Sequence, residues 1–237
     1  MLEIVEIIRQ SEQGRNKAFL CRGEDDKLYF VKGKNAGGRR QCCEWVVGNL
    51  AQKFGIPVPP LSLVTIPENL ILEAKPEFQI MGAGIAFASE SQNNTQWFEP
   101  SYVNEVQQKL RLDILVFDWW VKNDDRNQDN PNLLWDARSH NLHVIDHDSA
   151  FSPDFFPTVF KNYHIFQEDF HFVIDDMVCR AEYASRMVAA LSIWDDVCDN
   201  APPDWIDSLG TNSEKFNPSA ARAILDRCLT TEIWRME

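Results

Sequence analysis

Several things this chain lacks narrow its chemistry before anything it contains does. No two of its six cysteines stand in CxxC spacing, and they form no dense framework. A zinc ribbon, a thioredoxin-like dithiol and a disulfide scaffold are therefore excluded, and free thiols in a reducing cytoplasm are expected. No GxSxG elbow is present, so a serine hydrolase would lack its starting residue. Positive charge is scarce: 23 Lys and Arg stand against 36 Asp and Glu, for a net charge of −13. Nonspecific nucleic-acid binding depends on clustered cations, so no direct nucleic-acid partner is expected. No apolar run approaches the ~20 residues of a membrane-spanning helix. The opening residues MLEIVEIIRQ lack a signal peptide's basic start and small-residue cleavage site. No membrane association and a cytoplasmic location are the expectation. Internal repeats and low-complexity segments are absent as well.

What is present concentrates between Leu112 and Phe151, LDILVFDWWVKNDDRNQDNPNLLWDARSHNLHVIDHDSAF. Val106, Leu110, Ile114, Phe117 and Val121 recur at helical spacing, with Leu115, Val116 and Trp119 widening the apolar surface. A helix apolar on most sides is buried. It stops at Asn123, where Asn and Asp crowd the chain. Leu133–Trp135 and Leu142–Ile145 then flank a polar turn, which predicts a hairpin delivering Asp146 at its end. Asp125, Asn130 and Asp146 become three oxygen-bearing side chains on one helix–loop–hairpin unit.

That set suits phosphoryl transfer, in which an Asp meets the attacking hydroxyl while an Asn and a second Asp hold magnesium against phosphates. Asn130 follows Asp125 by five residues, the interval of a kinase catalytic loop. Magnesium takes hard oxygen ligands and keeps several waters, so one carboxylate and one amide suffice. The competing readings are a solvated helix end with Asx turns and a metal-dependent phosphohydrolase built on His140, His143 and His147 with Asp146 and Asp148. Against the hydrolase, His143 and Asp146 point to opposite faces of a strand.

NDDRNQDNPNLL followed by VIDHDSAF resembles the HipA-like atypical kinases, especially their short single-domain members. More distantly it is similar to the catalytic loop of the phosphoinositide 3-kinases. The resemblance implies an α+β, bilobal protein-kinase-like fold with a small β-rich nucleotide lobe and a larger, mostly helical lobe. It implies an ATP- and Mg2+-dependent phosphotransferase, a protein Ser/Thr as acceptor, and an antitoxin or other regulatory protein as partner, as in toxin–antitoxin systems. A small-molecule acceptor, or an inactive kinase-like binding module, are the alternatives. Asp125 becomes the catalytic Asp, and Asn130 and Asp146 the metal ligands. The chain departs from the pattern at Asp148, where Gly is commoner, adding negative charge beside the metal and questioning backbone freedom there.

The rest of the chain fits two lobes, residues 1–88 and 89–237. Residues 2–8, Ala18–Cys21 and Leu28–Lys32 read as strands around the turn Gly23–Asp26. Gly14, in the loop Ser11–Lys17, serves either as a phosphate cradle or as an ordinary turn. Lys32 closes LYFVK; the resemblance makes it the lysine that reaches the ATP phosphates and Glu44 the acid that holds it. Glu44 lies beside the stripe Cys43, Val47, Leu50 and Phe54, facing either inward or water. Gly55 ends that helix. Pro57, Pro59 and Pro60 favour extended chain. Leu70–Ala74 reads as a strand, and Phe78–Phe87 as the connector between lobes. Ser152–Phe166 has few regular signals. Phe170–Asp199 reads as one or two helices, Pro202–Pro203 break the chain, and Asn217–Pro218 reads as an N-cap opening a last helix toward Trp234.

Overall fold

Alternating burial along short, β-branched and aromatic runs organises the start of the chain in the computed structural model, which describes residues 1–11, 18–206 and 215–235. Gly14 falls outside these residues. Strand β1 (Leu2–Gln10) pairs antiparallel with β2 (Phe19–Gly23), whose Phe19, Cys21 and Gly23 are buried in alternation, the period-2 signature of a strand with one face inward. The turn at Asp26, with φ 63°, leads to β3 (Leu28–Lys32). Helix α1 (Gly38–Phe54) follows and ends at Gly55, whose φ of 99° suits glycine. After the prolines come β4 (Leu61–Ile66), the short helix α2 (Glu68–Glu73) and β5 (Gly84–Glu90).

Among the described residues these five strands close into a barrel in the order β1-β2-β3-β5-β4, with β1 and β4 parallel. Closure leaves no open edge. Ile4, Phe19, Val31, Val64, Ile66 and Met81 fill its interior. Two expectations are corrected here. Leu70–Glu73 is helical and only Ala74 extended: a short apolar run does not by its periodicity distinguish the two states, and the helix starts at Glu68 after Pro67. Phe78–Phe87 is no connector. Pro76–Met81 forms a 3-10 turn, and β5 then lies between β3 and β4, hydrogen-bonded on both sides with Ala86 and Ala88 inward.

Contacts divide the chain into two units, each discontinuous in sequence. The first comprises Met1–Trp45, Pro59–Asn93 and Asn200–Phe216; the second Val46–Val58, Asn94–Asp199 and Asn217–Glu237. The second holds a three-stranded sheet, β6 (Gln96–Trp97), β7 (Leu133–Asp136) and β8 (Asn141–Val144), in that order. Helix α3 (Gln108–Val121) has every residue from Asp113 to Val121 buried. Around it lie α4 (Pro157–Tyr163), in the stretch without sequence signals, α5 (Phe170–Ile174), α6 (Met177–Leu191) and α7 (Trp194–Asp199). Helix α8 (Pro203–Ile206) belongs to the first unit, and α9 (Pro218–Leu225) to the second.

Helix α3 is fastened to the end of the chain. The indole N–H of Trp119 donates to Ile233 O at 2.6 Å and that of Trp120 to Leu225 O at 2.9 Å. Arg227 donates to the carbonyls of both tryptophan residues. Burial lowers its pKa to about 10. Buried indoles satisfied in this way contribute large apolar area without an orphaned donor. Among the described residues no helix is long and apolar enough to cross a membrane.

Candidate active site

In the first unit, Lys32 ends β3 and Glu44 sits in the second turn of α1, and the ammonium donates to the carboxylate. Both side chains are buried, Lys32 8% and Glu44 2% exposed, so Glu44 faces inward and not water. A buried charge persists only when paired, and breaking such a pair by removing one partner costs about 3–5 kcal/mol. Backbone sterics guard the junction: a Cβ at Gly33 would lie 2.3 Å from Met81 O, so only glycine fits directly after Lys32. Gln41 Oε1 accepts from Phe87 N–H at 3.4 Å, which links α1 to β5.

The second unit carries the other predicted residues. Helix α3 ends where Lys122 takes a left-handed conformation, φ 53°, and its N–H returns to Asp118 O. Buried Asn123 then bridges two carboxylate residues: its Nδ2 donates to Asp118 Oδ1 at 3.2 Å, and its Oδ1 accepts from the Asp125 N–H at 3.4 Å. Asp125 Oδ2 accepts from Asn130 Nδ2 at 2.9 Å and Asn132 Nδ2 at 3.3 Å. Asp125 and Asn130 are thus brought together directly. Burial, then the negative charges of Asp146 and Asp148, hold the Asp125 pKa above the usual aspartate value, with Asn132 and Arg126 opposing. Burial raises Asp124 likewise, with a contribution from Asp154.

The hairpin β7–β8 delivers Asp146 two residues beyond Val144. Asp146 has φ 60°, the left-handed region that Asp tolerates better than most side chains. Its carboxylate lies within 4.8 Å of that of buried Asp148. Ser149 Oγ donates to Asp148 Oδ1 at 3.2 Å. Because Asp146, and not position 148, adopts positive φ, aspartate replaces the commoner glycine without backbone strain. The Phe151 N–H donates to Val121 O at 2.8 Å, returning the segment to the end of α3.

Asn130 gives its amide N–H to Asp125, and the remaining polar atom of its side chain, Oδ1, is a hard oxygen. With Asp146 this makes an all-oxygen donor set, and that fits magnesium. The histidines of the hydrolase reading disperse. His140 is exposed, 3.5 Å from Glu105; His143 is half-buried on β8; His147 packs edge-on against Phe117. Among the described residues none of them belongs to a group of metal-ligating side chains.

Sequence reasoning missed Asp118 and His164; Arg126, next to Asp125, reads from the sequence alone as offsetting local carboxylate charge, contacting phosphate, or bridging to Asp124 or Asp129. Arg126 is instead fully buried against Asp118, Nε to Oδ2 at 2.7 Å. Burial alone would raise Asp118, but Arg126 and His164 outweigh it and hold the carboxyl below the usual range. The signal was available in Asp118 itself, a lone acid amid Ile114–Val121. A buried charge in an apolar helix requires partners.

Residues 4–237 match the family model described as HipA-like kinase. Among solved structures, the chain is similar to the proinflammatory kinase CtkA of Helicobacter pylori, at 14% identity over 91% of each chain with a TM-score of 0.52. It is also similar to a Golgi casein kinase, at 11% identity over 98% of this chain and 73% of that chain with a TM-score of 0.50. No curated protein matches. At these identities the structural likeness speaks for the fold, a kinase-like α+β arrangement.

Proposed function

The chain belongs to the HipA-like kinase family, and from that premise we propose that it transfers the γ-phosphate of ATP to a Ser or Thr hydroxyl of a protein. Kinase-type phosphotransfer follows from the family; the acceptor and the residue roles are our reading. The observation that carries the roles is the Asp125 carboxylate, held by the amides of Asn130 and Asn132 one hairpin away from Asp146. Phosphoryl transfer asks for positioning and charge stabilisation more than covalent chemistry. Lys32, steadied by Glu44, grips the nucleotide phosphates. Asn130 and Asp146 hold the magnesium, which when bound offsets charge on the phosphate oxygens. Asp125 orients the acceptor hydroxyl and takes its proton, a role favoured by a pKa above the usual aspartate value. On this reading the β-rich unit is the nucleotide lobe and the helical unit the catalytic lobe.

Thermal melting with ATP and magnesium tests the assignment. Ligand at about a hundred times its dissociation constant stabilises by about 2.7 kcal/mol. For a chain of this size that is roughly 5–11 °C. Asp146→Ala is expected to shrink the magnesium-dependent part, while Asp125→Ala leaves binding intact and abolishes transfer. Full transfer by both variants would refute the assignment. Phosphopeptide mapping against a screen of small hydroxyl compounds decides the acceptor class.

A further inference from the structure

One guanidinium in the second unit touches the chain beside every residue assigned to catalysis there. Arg126 follows Asp125 directly. Its Nη1 donates to Asn132 O at 2.6 Å and Pro131 O at 3.3 Å, immediately after Asn130, and to Ile145 O at 3.1 Å, immediately before Asp146. Its Nε donates to Asp118 Oδ2 in α3. The same carboxylate oxygen meets His164 Nε2 at 3.1 Å. The Phe166 N–H donates to His164 Nδ1 at 3.1 Å, so Nδ1 is an acceptor and Nε2 carries the proton toward Asp118. Arg126 O in turn accepts from the Ile165 N–H at 3.1 Å. Arg126, Asp118 and His164 are at most 2% exposed.

We propose that Arg126 is a positioning residue that sets the spacing of Asp125, Asn130 and Asp146, with Asp118 and His164 orienting its guanidinium. The inference rests on the phosphotransfer reading above and deepens it. A pair needed only for stability has no use for a fork, because apolar residues of similar volume often replace buried ion pairs without loss. Nη1 reaches carbonyls on both sides of the loop while Nε holds Asp118, a span across two nitrogens that a lysine's single ammonium cannot cover. Misplacing reacting groups by ~1 Å costs about 10²-fold in rate.

Full-length Arg126→Lys decides the matter, with ADP release from Mg2+–ATP and Mn2+–ATP binding by electron paramagnetic resonance as readouts. The variant is expected to melt cooperatively and to keep the KM for ATP within about threefold while kcat falls about a hundredfold. His164→Gln places a donor where Nε2 stood, and His164→Asn an acceptor where Nδ1 stood. Gln is expected to preserve kcat and Asn to lose it, whereas a merely structural role for His164 favours neither or reverses the order. An active parent beside an equally active Arg126→Lys overturns the inference alone, as does Asn outperforming Gln. If Arg126→Lys does not fold, the order of the two His164 variants decides instead. A parent that neither binds Mn2+–ATP nor releases ADP overturns the phosphotransfer reading, and the inference falls with it.

Discussion

Asp125 ionises against its surroundings. Burial first, and then Asp146 and Asp148, raise its pKa, so the fold holds the proton more tightly than the unfolded chain does. The stability this contributes is complete below the ordinary aspartate range, about 3.9, and is lost as pH rises through the raised value. At neutral pH the carboxylate therefore weakens the fold that carries it. Asp125→Asn keeps an oxygen for the amides of Asn130 and Asn132 and removes the charge. Its melting temperature is expected to exceed the parent's at neutral pH by roughly 2–4 °C at most, since Asp125 is half-buried and solvent screens its neighbours. The gain should vanish in melts run below the ordinary aspartate range. The same variant should have no transfer activity, a trade of function for stability common at active sites.

At the scale of elements, the legible ones announced themselves chemically. Helix α3 showed its burial through apolar residues on nearly every side, and the hairpin β7–β8 through two apolar runs around a polar turn. Helix α9 begins at the predicted cap: Asn217 Oδ1 accepts from the Ala220 N–H at 3.0 Å, with Pro218 at the first position. It ends at Leu225 and gives way to two 3-10 turns, so the segment reaches Trp234 by a different conformation from the one expected. Asn217→Ala is expected to cost about 1 kcal/mol, or roughly 2–4 °C in a thermal melt, with ATP binding unchanged. Where the reading failed, as at α2, β5 and α4, the runs are short and their state depends on which partners complete their hydrogen bonds. Strand β5 is a strand because β3 and β4 flank it, which no local pattern announces.

Over the whole molecule, a net charge of −13 sets the field an acceptor meets. Such a field speeds the approach of cations and slows that of anions, and salt screens it. A Ser peptide flanked by Lys and Arg is expected to show a higher kcat/KM than one flanked by Glu at low ionic strength. The preference should fall severalfold between ~20 mM and ~500 mM salt, measured by phosphate incorporation. Equal rates for both peptides at every salt concentration would remove charge from the account of acceptor choice.

By itself the amino-acid sequence determined the local chemistry: an Asp and an Asn five residues apart after a buried helix, a second Asp at the end of a hairpin, and a lysine closing a strand. Spacing along a chain of known local geometry suffices for that, because helix, loop and hairpin each hold their own residues at definite intervals. Only the tertiary structure decided that Glu44 is buried and turned to Lys32, that β5 completes a barrel, and that Asp118, Arg126 and His164 meet. Those partners lie 8 to 46 residues apart along the chain. Nothing in a local interval selects among the many groups that could meet over such separations; packing does, by leaving each buried charge one place where it is satisfied.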